Sequence, residues 1–344
     1  MNFSSKITDW YKLNKRDLPW RNNPEPYKIW LSEIILQQTR VAQGLPYYEK
    51  FFAAYPNVKS FANAQISDIL LLWQGLGYYS RGRNMHFAAN QVMTEFKGIF
   101  PNNFKDLKKL KGVGEYTAAA IASIACNESV AVVDGNVYRV LARYFNEAIP
   151  IDSTEGKKIF SELANELVPK INPGDHNQGM MELGALICTP KKPDCINCPI
   201  NSSCQSAFSA SVELLPVKSK KVKVKERKFN YFHLKFEDKI IIHKRHGKDI
   251  WEGLHQFPLV EGESQEIQNE LKKLTGLNQE FGLTKGITLK HILTHQRIFA
   301  DFFTVDLTTL KGLKSEFIVT TLEDLENFAL PKLMVNYIES INKN

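Results

Sequence analysis

The first two hundred residues carry apolar side chains at helical spacing, separated by short polar breaks. Pro26 sits where a first turn tolerates a proline, and the run Tyr27 to Gln38 behind it predicts a helix. The same period predicts helices over Val41–Ala54, Ile66–Trp73, Arg83–Phe96, Tyr116–Cys126, Asn136–Tyr144 and Glu155–Val168. Val130–Val133 has the β-branching of a strand, but it is short and isolated, so an all-helical region is expected. The pattern changes after Pro216. Phe232, Leu234 and Phe236 alternate with polar residues, Glu237-Asp238 marks a turn, and Ile240-Ile241-Ile242 follows. A second β region covers Ile287–Val305, and helices fit Ser264–Leu274 and Leu322–Phe328. The chain therefore divides into a helical part over 1–216, a short linker over 217–228 and an α/β part over 229–344. That division suits 344 residues, which are enough for about two ordinary domains.

Composition changes this picture little: 43% hydrophobic, 11% aromatic and 24% charged residues exclude a fibre or a disordered chain. No run reaches the roughly 18 apolar residues of a membrane span, and the N-terminus has no apolar export core, so the expected compartment is the bacterial-type cytoplasm or an equivalent reducing space. Charge is more informative by location than by total. Residues 1–217 carry 23 basic against 20 acidic side chains, and residues 229–344 carry 14 against 16. The run between them, KSKKVKVKERK, carries seven against one, so most of the net +7 sits there. Such a run is either a solvated tether or a phosphate-binding segment.

Three constellations carry candidate chemistry. In Leu107-Lys-Lys-Leu-Lys-Gly-Val-Gly-Glu-Tyr-Thr-Ala118, a Gly-x-Gly turn at Gly112 and Gly114 joins two helical patterns. Glycine lets the backbone approach a partner, and the N–H groups opening the next helix form an anion site suited to a DNA phosphate; an ordinary helix-joining turn has the same letters. Glu33 lies among Trp30, Leu31, Ile34, Ile35 and Leu36, where burial raises a carboxyl pKa and makes a proton donor. Asp134 opens the helix near Asn136, as an N-cap or as a carboxylate facing a developing cation. Cys188, Cys195, Cys198 and Cys204 are spaced C-x6-C-x2-C-x5-C, which suits zinc or an iron–sulfur cluster. Cys126 reads as an ordinary buried thiol.

Taken in order, Glu33-Ile-Ile-Leu-Gln-Gln-Thr39, Gly75-Leu-Gly-Tyr-Tyr-Ser-Arg81, Gly112-Val-Gly114, Val133-Asp-Gly-Asn136 and the four cysteines closely resemble the MutY-type adenine DNA glycosylases of the helix-hairpin-helix superfamily. The resemblance is dense from Leu18 to Cys204 and thinner to about residue 305. It implies a mostly α helix-hairpin-helix glycosylase domain with an iron–sulfur loop over 188–204, followed by an α/β Nudix-like domain. It implies a [4Fe–4S] cluster on the four cysteines, with Lys191 and Lys192 of their loop turned to DNA. Glu33 and Asp134 become the acid and the cation-stabilising carboxylate, assisted by Tyr116 and Asn136. Leu18, Trp20, Arg21, Gln178 and Met181 match the adenine pocket, although core packing explains Leu18, Trp20 and Met181 equally. Gln38 and Tyr78 match residues that enter the DNA stack, and Thr39 and Leu76 match neighbours of the base left behind. Arg81 and Arg83 read as phosphate contacts, beside Gly112 and Gly114.

Relatives that also cut the backbone carry a lysine where this chain has Tyr116, which implies a monofunctional N-glycosylase. The family's hairpin usually has proline where this chain has Lys111. Over Trp251-Glu-Gly-Leu254 and Phe257-Pro258 the second domain resembles a Nudix fold whose metal-binding glutamates are missing, so it is expected to bind and not to hydrolyse. The family's Phe-Ser-His reader of 8-oxoguanine corresponds here to Leu293, Thr294 and His295. The implied partner is double-stranded DNA holding adenine opposite 8-oxoguanine or guanine, approached by a monomer without a membrane. The competing readings are an endonuclease III-like pyrimidine glycosylase/lyase and a non-catalytic iron–sulfur DNA sensor.

Overall fold

The computed structural model describes residues 2–219, 224–263 and 266–342. The helices, in chain order, are α1 (Phe3–Asn14), α2 (Pro26–Ile35), α3 (Val41–Ala54), α4 (Val58–Ala62), α5 (Ile66–Leu72), α6 (Ser80–Glu95), α7 (Phe104–Leu107), α8 (Glu115–Cys126), α9 (Gly135–Tyr144), α10 (Thr154–Leu167), α11 (Pro173–Leu186), α12 (Ser211–Leu214), α13 (Ile267–Thr275) and α14 (Lys332–Ile341). No helix among the described residues is long and apolar enough to cross a membrane. Two compact units form, one from residues 1–63 with 84–220 and one from 64–83 with 221–344. The short stretch from Ala64 to Arg83, expected in the helical part, thus packs with the C-terminal residues.

The first unit is helical. Ile7, Val140, Leu141, Phe160, Met180 and Leu183 form one core where α1, α9, α10 and α11 meet. The chain from Asn127 to Asp134 forms neither helix nor strand, in line with the all-helical expectation. Helix α2 stops at Ile35, three residues short of the expected Gln38, because Gln38 takes a left-handed backbone (φ +58°) that no helix continues through. The periodicity missed α1 and α11. In α11, Gly179 and Gly184 break the apolar pattern, yet each stands where a side chain would collide: a Cβ on Gly184 would lie 2.6 Å from Asn136 Cβ.

The second unit is a sheet between two helices. Its strands are β1 (Lys225–Phe236), β2 (Lys239–Lys244), β3 (His255–Gln256), β4 (Leu259–Glu261), β5 (Thr284–Ile292), β6 (Gln296–Asp306) and β7 (Phe317–Thr320). The order is β3-β2-β1-β6-β5, with β4 also on β1 and β7 also on β2; β1 and β6 run parallel. Phe229, Tyr231, Ile242 and Phe302 bury one face against Leu333, Met334 and Tyr337 of α14. Phe232, Leu234, Ile241 and Val305 bury the other beside Leu271 of α13. With both faces covered, β1 is buried continuously from Phe229 to Leu234.

Three expectations are corrected here. The segment Leu322–Phe328 is a short 3-10 turn over Glu323–Asn327, and the helix that closes the core is α14. The linker ends sooner than residue 228, since β1 begins at Lys225. Arg227 is no tether residue: its guanidinium pairs with Asp249 at 2.7 Å and Glu261 at 2.5 Å, and Lys228 pairs with Glu263. Lys220, Lys221 and Lys223, and the expected helix start at Ser264, lie outside the described residues.

Candidate active site

Helices α2, α8, α9 and α11 bring one open pocket together in the first unit. Its wall holds Glu33, Tyr116, Asp134 and Asn136, with Leu18, Trp20, Arg21, Gln178 and Met181 around them. Glu33 projects from the apolar helix α2, flanked by fully buried Leu31 and Ile35. Burial pushes its carboxyl up to about 7; the Tyr116 hydrogen bond and Arg21 oppose the rise, while the Asp134 charge adds to it. The Tyr116 hydroxyl donates to Glu33 Oε2 at 2.5 Å, and Met181 Sδ lies 3.6 Å from the phenol oxygen. Burial, reinforced by Glu33, raises the Tyr116 phenol well above its ordinary range, so it is a donor throughout the physiological pH range.

Asp134 caps α9. Its Oδ1 accepts from Asn136 N at 2.8 Å and Val137 N at 2.7 Å, and its Oδ2 accepts from Asn136 Nδ2 at 2.9 Å. Burial raises its carboxyl despite these bonds. Asn136 is held in turn by Arg139, whose Nη2 donates to Asn136 Oδ1 at 2.8 Å and whose Nε donates to Cys188 O at 2.7 Å. The pair Arg16–Glu182 went unseen in the sequence. Glu182, 1% exposed, binds Arg16 through Nε at 2.7 Å and Arg21 through Nη2 at 2.9 Å. Burial works against that charge, but the two arginines hold the Glu182 carboxyl down at about 2. Arg21 is thereby fixed at the pocket wall. The only hint was a lone glutamate in the apolar run Met180-Met181-Glu182-Leu183.

The hairpin glycines precede α8. Gly112 has φ +79°, and a Cβ there would lie 2.8 Å from Asn84 Cβ, so glycine is required twice over. Gly114 is the N-cap of α8 and has no side chain with which to cap the first turn's N–H groups. Lys111 is exposed beside them. Gln38 is exposed, and Thr39 lies at the pocket rim.

The four cysteines line one pocket with Arg143, Ile187 and Ile200. Arg143 Nη1 lies 3.3 Å from Cys188 Sγ. Burial pushes the Cys198 thiol up to about 12, and the other three cysteines add to the rise. Such a set is stable as thiolates only around a cationic group. No three His, Cys, Asp or Glu side chains among the described residues stand at the spacing of a single-ion site. Lys191 and Lys192 are exposed in this loop.

In the second unit Tyr78, at φ +46°, is 43% exposed. Its hydroxyl lies 2.9 Å from Thr294 Oγ1, while Leu76 is buried. His295 and Leu293 line a pocket with Leu76, Tyr78 and Trp251. Two arginines depart from expectation. Arg81 lies over the Trp73 ring at 5.1 Å and donates to the carbonyls of Leu76 and Gly77. Arg83 pairs with Glu252 at 2.9 Å. Both guanidinium groups support this unit's own loops in place of reaching outward to phosphate.

A buried carboxyl with a phenol partner, a second capped carboxyl and a glycine hairpin, joined to a sheet between two helices, define a class. A model of the HhH-GPD superfamily of base excision DNA repair proteins matches residues 31–170, and a NUDIX domain model matches residues 230–340. The adenine DNA glycosylase of Buchnera aphidicola subsp. Schizaphis graminum is 33% identical over 98% of both chains. The Homo sapiens adenine DNA glycosylase is 43% identical over 62% of this chain and 41% of its own. A thermostable thymine-DNA glycosylase structure is similar with a TM-score of 0.55 and 33% identity, covering 60% of this chain and 94% of that one. An endonuclease III–DNA complex shares the fold at a TM-score of 0.51 and 19% identity, covering 59% of this chain and 92% of that one. The chain belongs to the adenine DNA glycosylase family, enzymes of base excision repair that act on N-glycosyl bonds in DNA.

Proposed function

We propose that the chain removes adenine mispaired with 8-oxoguanine, and more weakly with guanine, as a monofunctional glycosylase. The observation that carries this reading is the convergence of Glu33, Tyr116 and Asp134 on one pocket walled by Leu18, Trp20, Gln178 and Met181. A target base must leave the duplex stack to reach such a pocket. Gln38 and Tyr78, both held in left-handed backbone, are the side chains suited to fill the gap, with Thr39 and Leu76 beside the orphaned base.

Protonated Glu33 gives its proton to a ring nitrogen of adenine. The bond from that base to the sugar carbon then breaks, and its electron pair leaves with neutral adenine. Ionised Asp134 stabilises the cationic sugar from across the pocket, oriented by Asn136. Water adds to the sugar carbon and its released proton restores Glu33. Tyr116 occupies the place of the lyase lysine and has no amine to form a Schiff base, which favours this reading over the endonuclease III-like one. Both carboxyls at one pocket count against a sensor without catalysis. Thr294, next to Tyr78, with His295, supplies the donors and acceptors for reading 8-oxoguanine.

Cys188, Cys195, Cys198 and Cys204 line one pocket and would together hold a [4Fe–4S] cluster. When bound, such a cluster would supply no step of the chemistry and would hold the loop of Lys191 and Lys192 in shape. We place the enzyme in the cytoplasm with the chromosome, acting as a monomer. Duplexes with adenine opposite 8-oxoguanine, guanine, cytosine or thymine, cleaved by alkali after reaction, test the proposal. Excision is expected in the order 8-oxoguanine, then guanine, with the other two far behind. Strand cleavage without alkali, or equal rates on all four, overturns it.

A further inference from the structure

The segment between α8 and α9 delivers Asp134 to the pocket, and no helix or sheet holds it. A buried amide does. Asn177 of α11 is 2% exposed, and its Oδ1 accepts from Val132 N at 3.1 Å while its Nδ2 donates to Val130 O at 2.8 Å. The side chain thus pairs with this stretch as a neighbouring strand would. Its second amide proton goes to Ser123 Oγ of α8 at 2.9 Å, and that hydroxyl donates to Ala119 O at 2.7 Å. Asn165 of α10 takes the intervening N–H of Ala131 at 3.1 Å. Three consecutive residues are therefore clamped just before the catalytic carboxylate.

Asn177 does not line the pocket, whereas its neighbour Gln178 does. The same helix passes Asn136 at Gly184, where no side chain fits. We propose that Asn177 is a positioning residue for Asp134, setting how far the carboxylate reaches into the pocket. Packing alone does not demand an amide there. An apolar residue of similar size fills the space and leaves buried Val132 N and half-buried Val130 O without their partner. The proposal rests on the role assigned above to Asp134. A displacement of about 1 Å at a catalytic group costs on the order of a hundredfold in rate.

The test is a double-mutant cycle in the full-length protein. Asn177→Asp is nearly isosteric, keeps the acceptor for Val132 N and lacks both donated bonds; Asn177→Ala removes all three. Single-turnover excision of adenine opposite 8-oxoguanine is measured beside the dissociation constant for a duplex bearing an abasic product. Either variant is expected to lose on the order of a hundredfold in rate with product affinity unchanged. In an Asp134→Asn background the same substitutions are expected to change the residual rate by no more than roughly twofold. Equal losses in both backgrounds, equal losses in rate and affinity, or a wild-type rate in Asn177→Asp would overturn the positioning role. If Asp134→Asn by itself excises normally, it is the reading of Asp134 that fails. Should Asn177→Ala not fold, Asn177→Asp carries the cycle alone.

Discussion

Tyr116 and Glu33 meet across 83 positions of sequence in a hydrogen bond of 2.5 Å, the phenol donating to the carboxyl. The bond opposes the rise that burial imposes on Glu33, and so holds the carboxyl close to neutrality. An acid that works near pH 7 transfers its proton best when its own pKa lies there.

Tyr116→Phe removes the one interaction from Tyr116 that favours ionised Glu33. The carboxyl then rises above about 7, and the protonated form persists to higher pH. The alkaline limb of the single-turnover pH profile should move upward. A limb that stays in place or moves down would mean that the phenol does not set this acid.

Glu33 also bears on stability. Its folded value of about 7 exceeds its ordinary 4.5, so the native state binds the proton more tightly. Stability contributed by the protonated carboxyl is complete below about 4.5 and declines as pH rises through about 7. A shift of that size corresponds to about 3 kcal/mol once both states are ionised. Glu33→Gln removes the ionisation, so its melting temperature should exceed that of wild type at pH 8. The gain should shrink toward pH 5. Melting curves at the two pH values decide the point.

Much of this is legible in the sequence alone. Pro26 and Asp134 announce their helices through local chemistry, proline at a first turn and a carboxylate taking orphan N–H groups. The residues that match family motifs come into view the same way, because each motif is a short local run. What stays hidden is pairing over distance. Arg16 and Glu182 are 166 positions apart, and nothing near either announces the other. Arg81, Arg83 and Arg227 look alike as exposed cations in sequence, yet each is occupied by partners in its own unit. Helix α11 escapes notice because its glycines serve close packing, which no period records.

Arg227 stands apart from the lysines that precede it in the basic run. Its pairs with Asp249 and Glu261 hold β1 to its neighbours, so Arg227→Gln should lower the melting temperature and leave the salt dependence of DNA binding unchanged. Replacing Lys218, Lys220, Lys221 and Lys223 with Gln should instead flatten the slope of log affinity against log salt, by about 0.9 for each phosphate no longer neutralised. An unchanged slope would make that run a solvated tether.

Thr294→Ala with His295→Ala removes the hydroxyl beside Tyr78 and its neighbouring imidazole. The ratio of excision rates for adenine opposite 8-oxoguanine and opposite guanine, at limiting enzyme, should fall. Single-turnover excision of an engaged adenine should change less, since Glu33 and Asp134 belong to the other unit. An identical ratio in both proteins would move recognition of the damaged base to Thr39 and Leu76.

The most direct measurement is the single-turnover rate of Glu33→Gln on adenine opposite 8-oxoguanine, beside its affinity for the same duplex. The amide retains the Tyr116 hydrogen bond and the shape of the pocket but has no proton to give. Affinity is expected to match wild type while the rate falls by about two to four orders of magnitude. A near-normal rate in this variant would contradict the assignment of Glu33 as the acid that releases adenine.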